Sequence, residues 1–319
     1  MNILVTGGAG FIGSHLSARL VRRKDVQLSI ADNLHPFYEI SRKQEQLQAI
    51  RDAGQFRFIE LDLANEEACK ALFEANAFDT VVHLAAVPGV APSLNDPQLY
   101  IDMNIKAAVN ALKWAGETGV RHIVFASSSS VYGEQEHTRL SEDMASGNVV
   151  SPYAATKASA ECFCQLYKHL YGYRMTILRF FTAYGPFGRP DLAIPKFINK
   201  LLRGEAIDIY SMDTARDYTF VDDVANGIMR AVDLPEEDGI YNIGSGQPVA
   251  MSTLLSELER HFPAMEARLL PRRAGDVTAT WADIRKAAER LGYQPSTSFR
   301  EGLAKTVAWE RARYEQGHQ

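Results

Sequence analysis

The opening stretch MNILVTGGAGFIGSHL, residues 1–16, decides the fold. Its apolar run ILV leads into three glycines spaced three apart, Gly7, Gly10 and Gly13, and an amphipathic segment follows them. We interpret this pattern as a β-strand, a tight turn and a helix. Glycine lets the backbone of such a turn approach a pyrophosphate, whose charge then faces the N-terminus of the helix. Because any tight strand-to-helix turn needs glycine, the cluster alone leaves dinucleotide binding open.

The same alternation of strand and helix repeats along the first half of the chain. Near-continuous apolar runs such as TVVHL and HIVFA are typical of parallel strands that are covered on both faces. Strands that alternate with helices at this period predict an α/β fold, a Rossmann-type doubly wound parallel sheet with right-handed crossovers. We predict strands at about 2–6, 27–32, 56–60, 79–84, 121–127 and 174–180, and helices at about 11–23, 39–52, 65–75, 97–116 and 152–171.

The pattern loosens after residue 181, and 319 residues exceed the usual length of one domain. We therefore predict a sheet domain over 1–180, to which about 217–245 returns, and a smaller α/β lobe over 181–319. Its helices are expected near 193–203, 222–233, 252–262 and 283–291.

Composition and charge exclude several classes of protein. The chain is 46% apolar and 23% charged, as expected for a globular protein. Its net charge of −5 and the lack of a basic stripe argue against a nucleic-acid partner. No apolar run is long enough to span a membrane, and the N-terminus reads as a first strand and not as a signal peptide. Three cysteines, Cys69, Cys162 and Cys164, form no disulfide framework and fit a reducing, cytoplasmic location.

An acidic residue at the end of the second strand favours NAD as the cofactor. Asp32 lies 19 residues beyond Gly13, where a carboxylate hydrogen-bonds the ribose hydroxyls and repels a 2′-phosphate. Asp62 ends the third strand, where its side chain either meets the adenine or forms an N-cap or Asx turn. Small residues in HLAAV, 83–87, would let a cofactor lie close to the fourth strand. The predicted cofactor-binding residues here are Gly7, Gly10, Phe11, Ile12, Gly13, Asp32, Asn33, Asp62, Leu63, Leu84, Ala85 and Ala86.

A tyrosine and a lysine at helical spacing form the candidate catalytic pair. After the strand end FASSSSVYG, the next helix begins SPYAATKAS, with Ser151 as N-cap and Pro152 at the first helical position. Tyr153 and Lys157 are then i and i+4 on one face. We expect the ammonium to lower the pKa of the phenol from about 10, which makes a general base able to remove a hydroxyl proton as hydride leaves the same carbon.

Motifs along essentially the whole chain resemble the nucleotide-sugar 4-epimerases of the extended short-chain dehydrogenase/reductase family. They are VTGGAGFIGSHL, DNL, HLAA, ASSSSVYG, SPYAATK, RDYTFVDDVANGI, YNIGSG and RRAGDVTATWADIRKA. The resemblance implies that Tyr153 is the base, that Lys157 orders the nicotinamide ribose, and that Ser128 binds the reacting hydroxyl. Tyr153 and Lys157 thereby join the cofactor-binding residues. It also implies transient oxidation: C4 of the sugar loses a hydride to NAD, the 4-keto sugar rotates, and the hydride returns to the opposite face.

The same resemblance assigns residues that bind the nucleotide. Arg216 in ARDYTF, and Arg273 and Asp276 in RRAGD, match positions that bind phosphates and ribose. A guanidinium grips two phosphate oxygens at once, although surface salt bridges remain an alternative for both arginines. The segment AIPKFINKLLRGEAIDIY resembles the uridine-facing part of the family and favours UDP over other nucleotides.

The stretch TAYGPFGRPD, 182–191, resembles the UDP-glucuronate 4-epimerases within this family. That likeness implies that Thr182 and Arg189, with Ser129 and Ser130, hold the C5 carboxylate, which would suppress loss of carbon dioxide from a 4-keto uronate. One departure keeps other substrates open, because Ala91 stands where that group carries an arginine. UDP-glucose/UDP-galactose and UDP-N-acetylhexosamines are the alternatives.

Other functions on the same fold are disfavoured by particular residues. Related dehydratases and decarboxylases carry a carboxylic acid where this chain has serines at 128–130, and non-catalytic NAD sensors typically lack the Ser128, Tyr153 and Lys157 set. We predict no bound metal. The segments 97–116 and 152–171 resemble the four-helix dimer interface of the family, so a homodimer is expected.

Overall fold

The computed structural model describes residues 1–135, 138–271 and 277–317. Seven of its strands form one parallel sheet. Six of these seven are the strands that the sequence predicts, and the seventh spans Gly239–Ile243. The strands in chain order are β1 (Asn2–Thr6), β2 (Gln27–Asp32), β3 (Arg57–Glu60), β4 (Thr80–His83), β5 (His122–Ser128), β6 (Arg174–Phe180), β7 (Thr182–Tyr184), β8 (Ile207–Ile209), β9 (Ala215–Arg216), β10 (Tyr218–Phe220), β11 (Gly239–Ile243), β12 (Val249–Ala250) and β13 (Ala267–Leu269).

Helices connect these strands and cover the sheet. One π-helical segment spans Ile101–Lys106, and short 3-10 turns span Ser129–Tyr132 and Glu142–Met144. The α-helices are α1 (Phe11–Leu20), α2 (Ile40–Ala53), α3 (Glu66–Glu74), α4 (Val90–Asn95), α5 (Pro97–Tyr100), α6 (Ala107–Glu117), α7 (Pro152–Tyr171), α8 (Ala193–Leu202), α9 (Val221–Asp233), α10 (Met251–His261), α11 (Arg285–Leu291) and α12 (Phe299–Glu315).

The strand order β11-β6-β5-β4-β1-β2-β3 confirms the Rossmann-type doubly wound fold. The chain turns from β1 to β2 on one side and later returns to β4 on the other, so the crevice between β1 and β4 is the topological switch point. Residues of β1 alternate between two cores: Ile3 and Val5 pack with α1, α2 and α9, whereas Leu4 packs with α3, α6 and α7. This double burial explains why the strand reads as a continuous apolar run.

The C-terminal part has its own apolar core. It combines the ring of Tyr184 with side chains from α8, α10 and α12. Three two-stranded pairings accompany it, namely β7 with β10 and β8 with β13 in parallel, and β9 with β12 antiparallel. Its smaller α/β architecture is therefore as predicted.

Two helical regions differ from the sequence prediction. The single helix expected at 97–116 is divided into α5, the π-helical segment and α6, and a further helix, α4, precedes it. Helix α12 was not predicted, because its buried face includes the polar residues Thr306, Glu310 and Arg313, which weaken the apolar periodicity. Within the described ranges, no helix has the length and hydropathy needed to cross a membrane.

Candidate active site

A cavity of about 420 Å³ lies at the carboxyl ends of the sheet strands. This is the edge at which ligands bind in open α/β sheets. Two predicted residues, Arg273 and Asp276, lie outside the described residues. All the other predicted site residues line this one cavity: Gly7, Gly10, Phe11, Ile12, Gly13, Asp32, Asn33, Asp62, Leu63, Leu84, Ala85, Ala86, Ser128, Ser129, Ser130, Tyr153, Lys157, Thr182, Arg189 and Arg216.

The glycine-rich turn leaves room only for backbone. A Cβ on Gly13 would lie 2.3 Å from the carbonyl oxygen of Gly7, and Gly7 itself has a φ of 68°, in the left-handed region. No side chain of the described residues caps α1 at Gly10, so the first N–H groups of this helix open towards the cavity. A cradle that a Cβ would fill, beside an uncapped helix N-terminus, fits a dinucleotide pyrophosphate.

Asp32 is held at the end of β2 by several donors. Its Oδ2 accepts a hydrogen bond from Ala9 N at 3.1 Å, and its Oδ1 accepts one from Leu34 N at 2.9 Å. Lys43 Nζ lies 3.3 Å from Asp32 Oδ1 and also lines the cavity. The sequence analysis did not identify Lys43, because it lies on α2 and reaches the end of β2 only in the folded chain, and no local motif marks it.

Both interpretations of Asp62 are compatible with its position. Its Oδ1 accepts a hydrogen bond from Ala64 N at 2.9 Å, which is an Asx-type contact, and the residue also lines the cavity. The N-cap of α3 is Asn65, whose Oδ1 accepts from Ala68 N at 3.1 Å. Asp62 is therefore not the helix cap.

The first turn of α7 is fixed on both sides of Tyr153. Ser151 Oγ accepts from Ala154 N at 3.1 Å, which confirms the predicted N-cap. Ser93 Oγ, from α4, accepts from the backbone N–H of Tyr153 at 3.1 Å. The Tyr153 ring meets the ring of Tyr100 edge to face at 6.1 Å. The backbone N–H groups of Tyr153 and Ala154, which have no acceptor within the helix, are thus satisfied at the residue that carries the candidate base.

The electrostatics of Tyr153 differ from the sequence prediction. Exclusion of water raises the pKa of the Tyr153 phenol, while a hydrogen bond with Ser128 and the charge of Arg189 oppose the rise. Burial lowers the pKa of Lys157 to about 8, and its Nζ donates to the carbonyl oxygen of Ala126 at 2.9 Å. The expectation that Lys157 lowers the phenol pKa is therefore wrong for the chain alone, because the ammonium is directed at a strand carbonyl.

The serine cluster is organised by contacts of its own. Ser128 Oγ accepts from the backbone N–H of Ser130 at 3.2 Å and lies 3.0 Å from Ser130 Oγ. The preceding hydroxyl, on Ser127, donates to Glu161, which also forms a bidentate ion pair with Arg179 on β6. This buried pair fixes the end of β5 against α7, and with it the start of the serine cluster.

Asn104 is a buried polar residue that sequence reasoning did not single out. It lies in the π-helical segment and exchanges two hydrogen bonds with the backbone of Val87, at 2.7 and 2.9 Å. Its Nδ2 also lies 3.1 Å from Thr156 Oγ1 on α7. Asn104 thereby ties the loop after β4 to α7, which carries the candidate base, and no local motif in IDMNIK distinguishes it.

Arg216 is directed inward by backbone carbonyls. Its guanidinium donates to the carbonyl oxygens of Ala215, Val277 and Thr278 at 3.0, 2.7 and 3.1 Å, and the residue lines the cavity.

Comparisons with known proteins agree with this geometry. The sequence model of the NAD dependent epimerase/dehydratase family matches residues 3–244. A UDP-glucuronate 4-epimerase of Thermodesulfobacterium geofontis is 38% identical over 315 residues, which cover 98% of this chain and 97% of that protein. UDP-glucuronate 4-epimerase 2 of Arabidopsis thaliana is 38% identical over 99% of this chain and 77% of its own length.

Solved structures show the same likeness. The UDP-glucuronic acid 4-epimerase of Bacillus cereus, in complex with UDP-glucuronic acid and NAD, superposes with a TM-score of 0.93 at 32% identity, over 98% of this chain and all of that one. A UDP-glucose 4-epimerase of Thermotoga maritima with UDP-glucose has a TM-score of 0.89 at 31% identity, over 98% and 100% of the two chains. The chain belongs to the NAD dependent epimerase/dehydratase family.

Proposed function

We propose that this protein is an NAD-dependent UDP-sugar 4-epimerase that interconverts UDP-glucuronate and UDP-galacturonate. The observation that carries the proposal is the meeting of Ser128, Tyr153 and Arg189 in one cavity, with a hydrogen bond between the first two and the arginine charge acting on the phenol. Relatives and a solved structure named for this activity, which match nearly the whole chain, support it.

The chain's own residues supply the proton chemistry. Ser128 holds the sugar O4 beside Tyr153. Its hydrogen bond and the charge of Arg189 lower the Tyr153 pKa against the effect of burial, which favours the phenolate that removes the O4 proton and later returns it. Lys157 orders the nicotinamide ribose from the next turn of α7. Bound NAD supplies the acceptor and donor of the C4 hydride, so the cofactor is recycled without net oxidation. The glycine turn, Asp32 and the small residues after β4 would hold it.

The cations around the cavity favour a uronate. Among the described residues that line it, Lys43 faces Asp32, Lys157 donates to Ala126, and Arg216 donates to three carbonyls. Arg189 is also paired, with Asp191, but it is the lining cation that acts on Tyr153, where the sugar ring must lie. We therefore assign the C5 carboxylate to Arg189, together with Ser129, Ser130 and Thr182, which line the same cavity.

Arg216 then binds the diphosphate at the other end of the substrate. Arg273 and Asp276 are proposed to bind the phosphates and ribose there on the family resemblance alone. The departure at Ala91 keeps UDP-glucose/UDP-galactose as the second candidate, and the Thermotoga maritima neighbour supports it. Residue 91 is not among those lining the cavity, whereas Gly89 and Val90 are.

The assembly and location are also proposals. Leu166 and Leu170 on α7 are 47% and 60% exposed and lie one turn apart, which supports a homodimer through this helix. The thiols of Cys69, Cys162 and Cys164 are unpaired, which supports a cytoplasmic protein. Sedimentation velocity tests the first of these, and a monomer at micromolar concentration would contradict it. The separate C-terminal core supports a lobe boundary near residue 181.

Product analysis tests the function directly. Purified protein is incubated with UDP-glucuronate, UDP-glucose or UDP-N-acetylglucosamine, and the products are identified by proton NMR of the anomeric signals. We expect UDP-galacturonate from the first substrate at a rate at least tenfold above that of either neutral sugar. A higher kcat/KM for UDP-glucose would favour the second candidate instead.

A further inference from the structure

The chain before Arg189 is held by side chains from two helices of the sheet domain. Three successive carbonyl oxygens in this loop each meet a donor nitrogen. Pro186 O lies 3.0 Å from His15 Nε2, Phe187 O accepts from Gln46 Nε2 at 3.3 Å, and Gly188 O accepts from Arg42 Nη1. Gln46 and Arg42 are buried, so these contacts are shielded from solvent. The main chain that carries Arg189 is thus fixed to α1 and α2.

Phe187 adds a third point of attachment. Its φ of 59° lies in the left-handed region, which a residue with a bulky side chain rarely adopts. Its ring packs against Trp309 of α12 with a centroid distance of 4.8 Å, and against His15 at 6.0 Å. Packing from both sides maintains a backbone conformation that the isolated loop would leave, so the position of the Arg189 Cα is determined.

The guanidinium is then fixed by one further residue, Asp191. Arg189 Nε donates to Asp191 Oδ1 and Arg189 Nη2 donates to Asp191 Oδ2, both at 3.0 Å. A guanidinium carries five N–H donors in a rigid plane, and this pair uses two of them. Within residues 1–135, 138–271 and 277–317, the remaining three have no hydrogen-bond acceptor. Arg189 lines the cavity, whereas Asp191 is not among the lining residues.

We propose that Asp191 is a positioning residue for uronate recognition: it occupies the Nε/Nη2 side of Arg189 and so presents the Nη1/Nη2 edge to the C5 carboxylate. That edge still offers one N–H from each nitrogen, the arrangement that binds both oxygens of a carboxylate. Asp191 acts through Arg189 and touches no substrate. The inference rests on the proposed uronate activity.

Orientation and charge make opposite predictions for the loss of this carboxylate. Asp191→Asn removes a negative charge beside the cavity, which by charge alone would strengthen binding of an anionic sugar. If Asp191 instead orients the guanidinium of Arg189, the side-chain amide in the Asp191→Asn variant accepts from only one of the two guanidinium nitrogens, and the sugar C5 carboxylate is bound less tightly. The direction of the change in KM therefore distinguishes a positioning role from a general electrostatic one.

The experiment compares four enzymes on two sugars. The unmodified enzyme, Asp191→Asn, Arg189→Ala and the double variant are assayed with UDP-glucuronate and UDP-glucose. We expect Asp191→Asn to raise KM for UDP-glucuronate about tenfold, the loss of roughly one charge-assisted hydrogen bond, with kcat changed by no more than about twofold. KM for UDP-glucose should stay within about twofold. In the Arg189→Ala background, adding Asp191→Asn should change neither parameter.

The chain offers a matched control. Arg23 and Asp25 form the same two-residue bidentate pair, with Nε and Nη2 donating at 3.1 and 2.8 Å, at an exposed site before β2. Asp25→Asn removes the same charge and the same kind of pair, and it should leave both KM values unchanged. Bound NAD and the melting temperature verify that each variant is folded.

The outcomes are separable. A lower KM for UDP-glucuronate in Asp191→Asn, equal losses on both sugars, or a further loss in the double variant would each overturn the positioning role while leaving the uronate activity intact. If the unmodified enzyme does not turn over UDP-glucuronate, the proposed function fails and the role of Asp191 fails with it.

Discussion

Tyr153→Phe removes one hydroxyl from the cavity and tests the proposed chemistry at its centre. The ring keeps its edge contact with Tyr100 at 6.1 Å, and the backbone N–H keeps its bond to Ser93 at 3.1 Å, so the first turn of α7 should be unchanged. Ser128 loses the phenol but keeps Ser130 as a neighbour at 3.0 Å. The stability cost should therefore be about 1 kcal/mol or less, the usual net worth of one hydrogen bond.

Catalysis should respond very differently from stability. A positioned general acid–base contributes roughly 10²–10⁴-fold to rate, about 2.7–5.4 kcal/mol of activation free energy. We expect turnover of UDP-glucuronate to fall by at least 10²-fold, with a melting temperature lowered by no more than about 4 °C and full occupancy by NAD after acid release. The assay follows the anomeric protons by NMR over hours, which detects small residual rates.

A control on the same helix separates the reacting hydroxyl from tyrosines in general. Tyr171 lies at the far end of α7, where its hydroxyl donates to Glu117 at 2.8 Å, outside the cavity. Tyr171→Phe should retain nearly full activity. More than a tenth of normal turnover in Tyr153→Phe would refute the assignment of Tyr153 as the base.

Three further perturbations test other parts of the argument. The charge of Arg189 lowers the pKa of Tyr153, so Arg189→Gln should raise that pKa further. With UDP-glucose as substrate, the acid limb of the plot of kcat against pH should then move to higher pH. An acid limb that stays in place or moves to lower pH would contradict the coupling. Gly13→Ala places a Cβ 2.3 Å from the Gly7 carbonyl oxygen, so the amount of co-purified NAD should fall at least tenfold. The bound NAD is measured by absorbance after acid release, and full occupancy would count against this turn as the pyrophosphate site. The pKa of Asp222 is lowered to about 2 by His15, so its stabilisation is present above the unfolded pKa near 3.8 and is lost as the pH falls through 2. Since its side chain is 45% exposed, we discount this to about 1 kcal/mol. Asp222→Asn should cost this much in urea unfolding at pH 7 and clearly less at pH 2, where the folded-state carboxyl is about half protonated; an equal cost at both pH values would refute the linkage.

The sheet and the glycine turn could be predicted because local chemistry decides them. β1, β4, β5 and β6 are buried on both faces, so each reads as a short, mainly apolar run whatever packs against it. The N-cap at Ser151 and the spacing of Tyr153 and Lys157 likewise depend only on neighbours in sequence. Such features can be predicted without knowledge of the tertiary fold.

Residues whose environment is created by distant segments could not be predicted in the same way. Lys43 meets Asp32, and Asn104 meets Val87 and Thr156, only after helices have crossed the sheet. The direction of the Lys157 ammonium also could not be predicted, because spacing along a helix does not reveal that the ammonium donates to a strand carbonyl, Ala126 O. Burial, which sequence spacing cannot measure, then sets the sign of the pKa shifts.

Helix α2 shows why both ends of the cavity depend on the same element. Lys43 contacts the carboxylate of Asp32 at 3.3 Å, at the predicted ribose site, while the adjacent Arg42 binds Gly188 O beside the predicted sugar site. One turn later, Gln46 binds Phe187 O at 3.3 Å. Neighbouring residues of one helix therefore contact both Asp32 at the cofactor end of the cavity and the loop that carries Arg189. A helix that slides or tilts would therefore displace Lys43 from Asp32 and shift the loop that carries Arg189 at the same time.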